Sequence, residues 1–293
     1  LSKGEAVLKS GGAAVDAVTA ALTVLENSPH FNAGRGAVYT SEGTHSLDSS
    51  IMTGHDRNAG AIAGVSTVKN PILLARKVLE NSEHVLLSGA GAEAFARTQG
   101  IEFAPESYFH TPYRWEQLQK ARAAEGLPPL PEPTGSAVAA LDDATDEEVK
   151  IFKFGTVGAA VLDMHGNLAA GTSTGGTTNK KFGRIGDSPI IGAGTYADNK
   201  SCAVSATGHG EYFIRAAVAS SICLRVELKG ESLAEAAHYV IQEDLKALGG
   251  DGGIVAVDST GHIVMEFNTA GMYRAGVVAG EKPTIAIYNK GSE

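Results

Sequence analysis

Residues 151 to 160 read IFKFGTVGAA, and the pair Gly155–Thr156 inside them decides how the whole chain is read. Just upstream lies EGLPPLPEPTGSAVAALDDATDEE, residues 125 to 148, which holds four of the ten prolines and a cluster of acids. Such a composition cannot bury enough apolar area to offset the entropy of ordering, so a flexible linker is expected over residues 125 to 150. Just downstream, VGAAVL opens an apolar strand pattern. A turn glycine leading into a strand accounts for the position cheaply. Scission of the chain there, leaving a threonine as a new N-terminus, accounts for it too.

Working outward, Val157 to Leu162 and Leu168 to Thr172 flank DMHGN and read as a hairpin. CAVSA reads as a further strand, followed by TGHGE and a helix from about Tyr212 to Leu228. Ser232 and Glu235 form a capping box that starts another helix, ending at Gly249–Gly250. GIVAVDSTGHIVMEFN is a second hairpin and TIAIY a last strand. In the first half, Val15, Val18, Leu22 and Leu25 mark one face of a helix that is stopped by Pro29. NPILLARKVLEN reads as a helix with proline near its first turn, and HVLLSGAGAEAFARTQG as strand, turn and helix. Helices in blocks and strands in hairpins favour an α+β fold over a doubly wound sheet.

Composition narrows the function classes. The 293 residues are 43% hydrophobic, ample for one large core, and the net charge of −9 without a basic block argues against nucleic acid or an anionic membrane as partner. No apolar run reaches the ~18 residues of a membrane span. Cys202 and Cys223 are too few for a disulfide framework, so a reducing, cytoplasmic setting is expected. The chain begins at Leu1 without a basic leader and reads as a fragment that has lost its true start.

Candidate chemistry was weighed motif by motif. Gly171–Thr172–Ser173–Thr174–Gly175 matches G-x-S-x-G, but no helix pattern follows to expose Ser173 on a strained elbow. The run Gly89 to Ala94 matches a loose dinucleotide fingerprint without the βαβ succession that would confirm it. The nine histidines show no zinc-ligand spacing. In GRIGDSP, Arg184 and Asp187 stand three apart among glycines; they read as a surface ion pair or as a clamp for a zwitterion, guanidinium on carboxylate and carboxylate on ammonium. TGHGE could offer backbone N–H groups to an oxyanion at a helix start. A threonine hydroxyl is a poor nucleophile without a base, yet an α-amino group titrates near 7.7–8.0 and is partly neutral at pH 7. An N-terminal Thr156 would carry its own base. Gly155 offers an uncrowded carbonyl for the hydroxyl to attack.

These residues resemble a known family. GTVGAAVLDMHGNLAAGTSTGGTTNKKFGRIGDSPIIGAGTYA (155 to 197), SATGHGE (205 to 211) and FNAGRGAVYT (31 to 40) are similar to the plant-type L-asparaginase/isoaspartyl peptidase family of N-terminal nucleophile hydrolases. The similarity runs from about Ala13 to the C-terminal region and fails in the linker. Related glycosylasparaginases show Asp before the threonine, so Gly155 favours the isoaspartyl peptidase branch.

The resemblance implies a four-layer αββα sandwich, self-cleaved between Gly155 and Thr156 into an α chain (1 to 155) and a β chain (156 to 293) that assemble as a dimer of such pairs. It implies hydrolysis of L-asparagine and of β-aspartyl dipeptides through an acyl-enzyme on Thr156. By position, Thr174 is a second hydroxyl near the Thr156 amine, Arg184 holds the substrate α-carboxylate and Asp187 its α-amino group. Thr207 and Gly208 form the oxyanion hole, Gly210 lines the pocket, and Asn32 faces the same site. No cofactor is implied for catalysis. The loop around Asn32 resembles one that binds a structural sodium ion through backbone carbonyls, here Leu25, Glu26, Ser28, Phe31, Ala33 and Arg35. Family members begin with a strand ending in His-Gly-Gly-Ala-Gly, and this chain starts after it. Two rivals stay open: a serine hydrolase using Ser173, and an uncleaved relative that only binds aspartyl groups.

Overall fold

The computed structural model of the chain describes residues 1–133 and 155–288. Helices α1 (Ser2–Lys9) and α2 (Ala14–Glu26) come first, and Val18 and Leu22 of α2 are fully buried, as the apolar spacing requires. Strands β1 (Leu47–Thr53) and β2 (Ala59–Val65) pair antiparallel. Then come α3 (Pro71–Asn81), the short β3 (Leu86–Ser88) parallel to β2, α4 (Gly89–Thr98), α5 (Glu106–Phe109) and α6 (Pro112–Ala124). Strands β4 (Val157–Leu162) and β5 (Leu168–Thr174) form the expected hairpin. Its turn is held by Asp163, whose carboxylate accepts the His165 and Asn167 N–H groups and also the first N–H of α2, from Ala14. The hairpin is thereby tied to the helix that packs on it.

Two sheets organise the molecule. One has the order β3-β2-β1-β5-β4. The other joins β6 (Thr195–Ala197), β7 (Cys202–Gly208), β8 (Gly252–Asp258) and β9 (Ile263–Val264) in chain order. A separate ribbon pairs β10 (Gly271–Gly276) with β11 (Thr284–Tyr288). A core cluster built on Val18, Leu22, Ile51, Ile62, Ile72 and Val78 joins α2 and α3 to the first sheet. A second, with Val204, Ile254, Ile222 and Ile241, joins the second sheet to the helices that follow β7. A third contains Met52 and Leu168 from the first sheet with Ala203 and Val257 from the second. The fold is mixed α+β. Among the described residues no helix is long and apolar enough to cross a membrane.

Four expectations need correction. The helix expected from about Tyr212 to Leu228 is two helices, α7 (Gly210–Ala216) and α8 (Val218–Lys229), broken at Ala217 with φ 47°. The break lets the first N–H groups of α8, Ala219 and Ser220, donate to the carbonyls of Ala193 and Gly192 instead of to a preceding turn. Helix α9 (Leu233–His238) starts with the expected capping box, then widens into a π-helical turn (Tyr239–Asp244) and ends in α10 (Leu245–Ala247). Cys202 and Cys223, read as a pair too sparse to matter, are joined in a disulfide between β7 and α8. The pairing escaped sequence reading because 21 residues separate the two cysteines and only the docking of α8 on β7 brings them together. Finally, the first part of the presumed linker is held in place. Leu130 exchanges two hydrogen bonds with Gln119, and Arg122 donates twice to the Pro128 carbonyl. The remainder, residues 134–154, lies outside the described residues.

Candidate active site

Strand β4 begins at Val157, so Gly155 and Thr156 sit just where the chain enters the first sheet beside β5. The Thr156 hydroxyl donates to Thr174 Oγ1 at 3.0 Å, and the Gly176 N–H donates to that same oxygen at 3.0 Å. The Gly155 carbonyl accepts the backbone N–H of Asn32 at 2.9 Å. Asn32 is itself buried and fixed: its side chain donates to the Gly176 carbonyl and accepts the Val38 N–H, and its carbonyl accepts the Gly175 N–H. A Cβ on Gly175 would lie 2.5 Å from the Asn32 side-chain oxygen, so glycine is what allows this close approach. Asn32 therefore serves the site through its main chain.

The loop between β5 and β6 brings Arg184 and Asp187 to the same place. A small cavity of about 10 Å³, room for roughly one water molecule, is lined by Asn32, Gly155, Thr156, Thr174, Gly176, Thr177, Arg184, Gly186, Asp187, Ser188 and Gly208. Gly210, the first residue of α7, allows the convergence. A Cβ there would meet Asp187 Oδ1 at 2.8 Å and Arg184 Nη2 at 2.9 Å. The loop is anchored from behind by buried hydroxyls. Ser50 on β1 donates to the Ser188 carbonyl at 2.6 Å and to Thr195 Oγ1, which in turn donates to Thr172 Oγ1. Lys180, also buried, donates to the Ser46 carbonyl and pairs with Asp48 at 3.7 Å.

The clamp differs in detail from the sequence reading. Arg184 does not pair with Asp187 but makes a bidentate pair with Glu211, Nε to Oε1 at 2.9 Å and Nη2 to Oε2 at 3.0 Å. Those hydrogen bonds hold the Glu211 carboxyl down to about 2. The TGHGE motif contains Glu211, but nothing in the sequence tells which carboxylate a loop arginine will reach. Two of the five guanidinium donors are engaged and three remain. Asp187 is buried, with no hydrogen-bond partner for Oδ2 among the described residues, and burial pushes its carboxyl up to about 7. An unpartnered carboxylate beside a guanidinium with spare donors is an arrangement built to receive a zwitterion.

At the end of β7, the buried Thr207 hydroxyl has no hydrogen-bond partner among the described residues. Gly208 follows it, where a Cβ would strike Phe213 at 2.4 Å and the Asp251 carbonyl at 2.5 Å. Ser173 has no such freedom. It is fully buried within β5, donates to Glu26 at 2.6 Å and stands on no exposed elbow, which removes it as a nucleophile. In the loop after α2, the Leu25 and Ala33 carbonyls accept the Ser28 and Gly36 N–H groups. The Glu26 and Phe31 carbonyls close on Gly34 and Gly36, where a Cβ would come within 2.4 Å and 2.2 Å of them. The Glu26 carboxyl points away into the core, so any ion in this loop meets main-chain oxygen. No group of His, Cys, Asp or Glu among the described residues is arranged to hold a metal.

The asparaginase family model matches residues 1–287. The chain belongs to that asparaginase family. It is 50% identical to an isoaspartyl peptidase of Salmonella typhimurium, over 99% of this chain and 89% of the relative. It is also 50% identical to the isoaspartyl peptidase of Escherichia coli, over 98% and 86%, and 42% identical to the isoaspartyl peptidase/L-asparaginase of Mus musculus, over 96% and 80%.

Proposed function

We propose that this asparaginase-family chain hydrolyses L-asparagine to L-aspartate and ammonia, and β-aspartyl dipeptides to L-aspartate and an amino acid, after cutting itself between Gly155 and Thr156. The observation that carries this reading is that the Gly155–Thr156 peptide and the Arg184–Asp187 pair line one cavity. Both substrates present a free α-carboxylate and α-ammonium beside the amide to be broken. An ordinary peptide bond has already consumed that carboxylate, so general proteolysis is not expected.

In the uncut chain the Thr156 hydroxyl attacks the Gly155 carbonyl, polarised by the Asn32 N–H, while Thr174 orients the hydroxyl. Nitrogen leaves, and water resolves the ester. The freed α-amine, with an ordinary value near 7.7–8.0, then acts as the base for its own hydroxyl. Thr156 next attacks the side-chain amide of the clamped substrate. Negative charge on the amide oxygen falls toward the Thr207 hydroxyl and the Gly208 N–H, preorganised donors of the kind that stabilise such oxyanions. Ammonia or an amino acid departs, and water releases aspartate from Thr156. The helices that cover the outer faces of two facing sheets support an αββα sandwich. Family membership is what supports a dimer of α/β pairs and a sodium ion held by the carbonyls of Leu25, Glu26, Ser28, Phe31, Ala33 and Arg35. Carbonyl oxygens are hard donors that suit such a cation, and the loop they would brace carries Asn32.

Thr156→Ala tests the reading. It should stay a single chain and release no aspartate from either substrate. Chain scission at position 155 in that variant, or retained turnover, would contradict an N-terminal nucleophile.

A further inference from the structure

Close to Gly155, but not among the residues that line the cavity, stands Arg114, in the first turn of α6. It is 2% exposed and among the largest fully buried side chains of the protein. Its Nε donates to the Gly36 carbonyl at 2.9 Å and its Nη1 to Gln117 at 2.9 Å. No carboxylate among the described residues pairs with it; its guanidinium carbon lies 5.3 Å from the centre of the Tyr113 ring, and burial draws its value down to about 10. A buried cation without a counter-ion is costly, and such groups are ordinarily paired. Its Nη2 is the atom turned to the cleavage site. A Cβ on Gly155 would lie 3.5 Å from Nη2, 2.9 Å from Asn32 Cβ and 3.0 Å from the Asn32 nitrogen.

Cleavage changes the charge at that spot. Adding water across the Gly155–Thr156 bond converts the acyl carbon to a carboxylate and breaks the C–N bond. The nitrogen leaves as an amine that takes up the released proton. A neutral peptide thus becomes one negative group on Gly155 and one basic group on Thr156, and the buried cation beside Gly155 that has no counter-ion among the described residues is Arg114. Gly155 is also part of the cavity wall, and the space there holds about one water while the chain is whole. Substrate enters only when Gly155 moves.

We propose that Arg114 is the receptor for the carboxylate that self-cleavage leaves on Gly155, and that this contact holds the severed end clear of the substrate cavity. The inference rests on the cleavage reading above. Arg suits the task because its planar fork takes a carboxylate through two donors. With Nε and Nη1 already fixed, the guanidinium is oriented before the carboxylate forms. Without the receptor, the freed end stays beside Thr156, where its own carboxylate competes for the guanidinium of Arg184.

The test is trimming of the mature protein by a carboxypeptidase, with the α chain followed by intact mass. The wild-type α chain in the native protein should lose residues at least tenfold more slowly than after unfolding. Arg114→Gln should abolish that protection, and Arg114→Lys should retain most of it. In Arg114→Gln, KM for L-asparagine should rise at least fivefold and return toward the wild-type value once the α-chain end is trimmed. Equal trimming of the wild type in its native and unfolded states overturns the proposal, and so does a raised KM that trimming leaves unchanged. Should Arg114→Gln fail to mature, the wild-type comparison decides alone. A wild-type protein that never separates into two chains overturns the cleavage reading itself, a different result from a freely trimmed mature chain.

Discussion

Asp187 sits in the site as an acid raised by burial to about 7, with one oxygen unpartnered. Below that value it is largely neutral and offers a substrate ammonium a dipole only; above it, a full charge. KM for L-asparagine should therefore fall as pH rises from about 6 to 8, until the substrate's own ammonium begins to lose its proton. Steady-state kinetics across that range check this, and a flat KM would remove Asp187 as the ammonium partner. Glu211 acts one step back. Its bidentate pair with Arg184 sets the plane of the guanidinium without occupying all its donors. Glu211→Gln should raise KM by up to about fivefold, the ~1 kcal/mol ceiling of a partly exposed ion pair, with chain scission unaffected. An unchanged KM would mean the guanidinium is fixed by something else. Thr156, Arg184 and Asp187 were legible in the sequence because each motif surrounds them with glycines that leave room for a ligand. Glu211 and Arg114 were not, because their roles come from which groups they face across 27 and 41 residues of chain, and no local pattern carries that.

At the scale of elements, the same contrast holds. Strands β4 and β5 were readable from apolar runs around a DMHGN turn, and α2 from its apolar stripe. Strands β1 and β2, central to the first sheet, escaped because LDSSIMT has neither alternation nor a continuous apolar run. Every residue of β1 is nevertheless buried, with the Ser49 hydroxyl bonded to the neighbouring β5 and the Ser50 hydroxyl to the second sheet and the site loop. Polar residues of this kind read as loop unless the partners are known. Helix α2 ends in another such case. Glu26 is fully buried, accepts hydrogen bonds from Ser173, the Ile72 N–H and Asn70, and is raised by burial from 4.5 to about 7. The unfolded chain gives up this proton near the ordinary value while the folded chain keeps it to about 7. Across that window the folded state binds more protons, so stability falls as pH rises and levels off above about 7. Glu26→Gln should flatten that part of the pH–stability curve. Thermal melts of both proteins from pH 4.5 to 7.5 check it; parallel curves would contradict it.

For the whole molecule, the proposed cut falls between two halves of one core rather than between two domains. Residues 1–133 supply α2, α3 and β1 to β3, and residues from 156 supply β4 and β5, which complete the same sheet. On the proposed reading, the severed ends would part while that sheet and its hydrogen bonds remain. The disulfide between β7 and α8 ties down the half that carries Thr207 and Gly208. The central claim is that the working nucleophile is an N-terminal threonine made by the protein itself. Intact mass spectrometry of freshly purified, active wild-type protein tests this most directly. It should show two chains, residues 1 to 155 and 156 to 293, whose masses sum to the full chain plus one water. A single unbroken chain with full activity would contradict it.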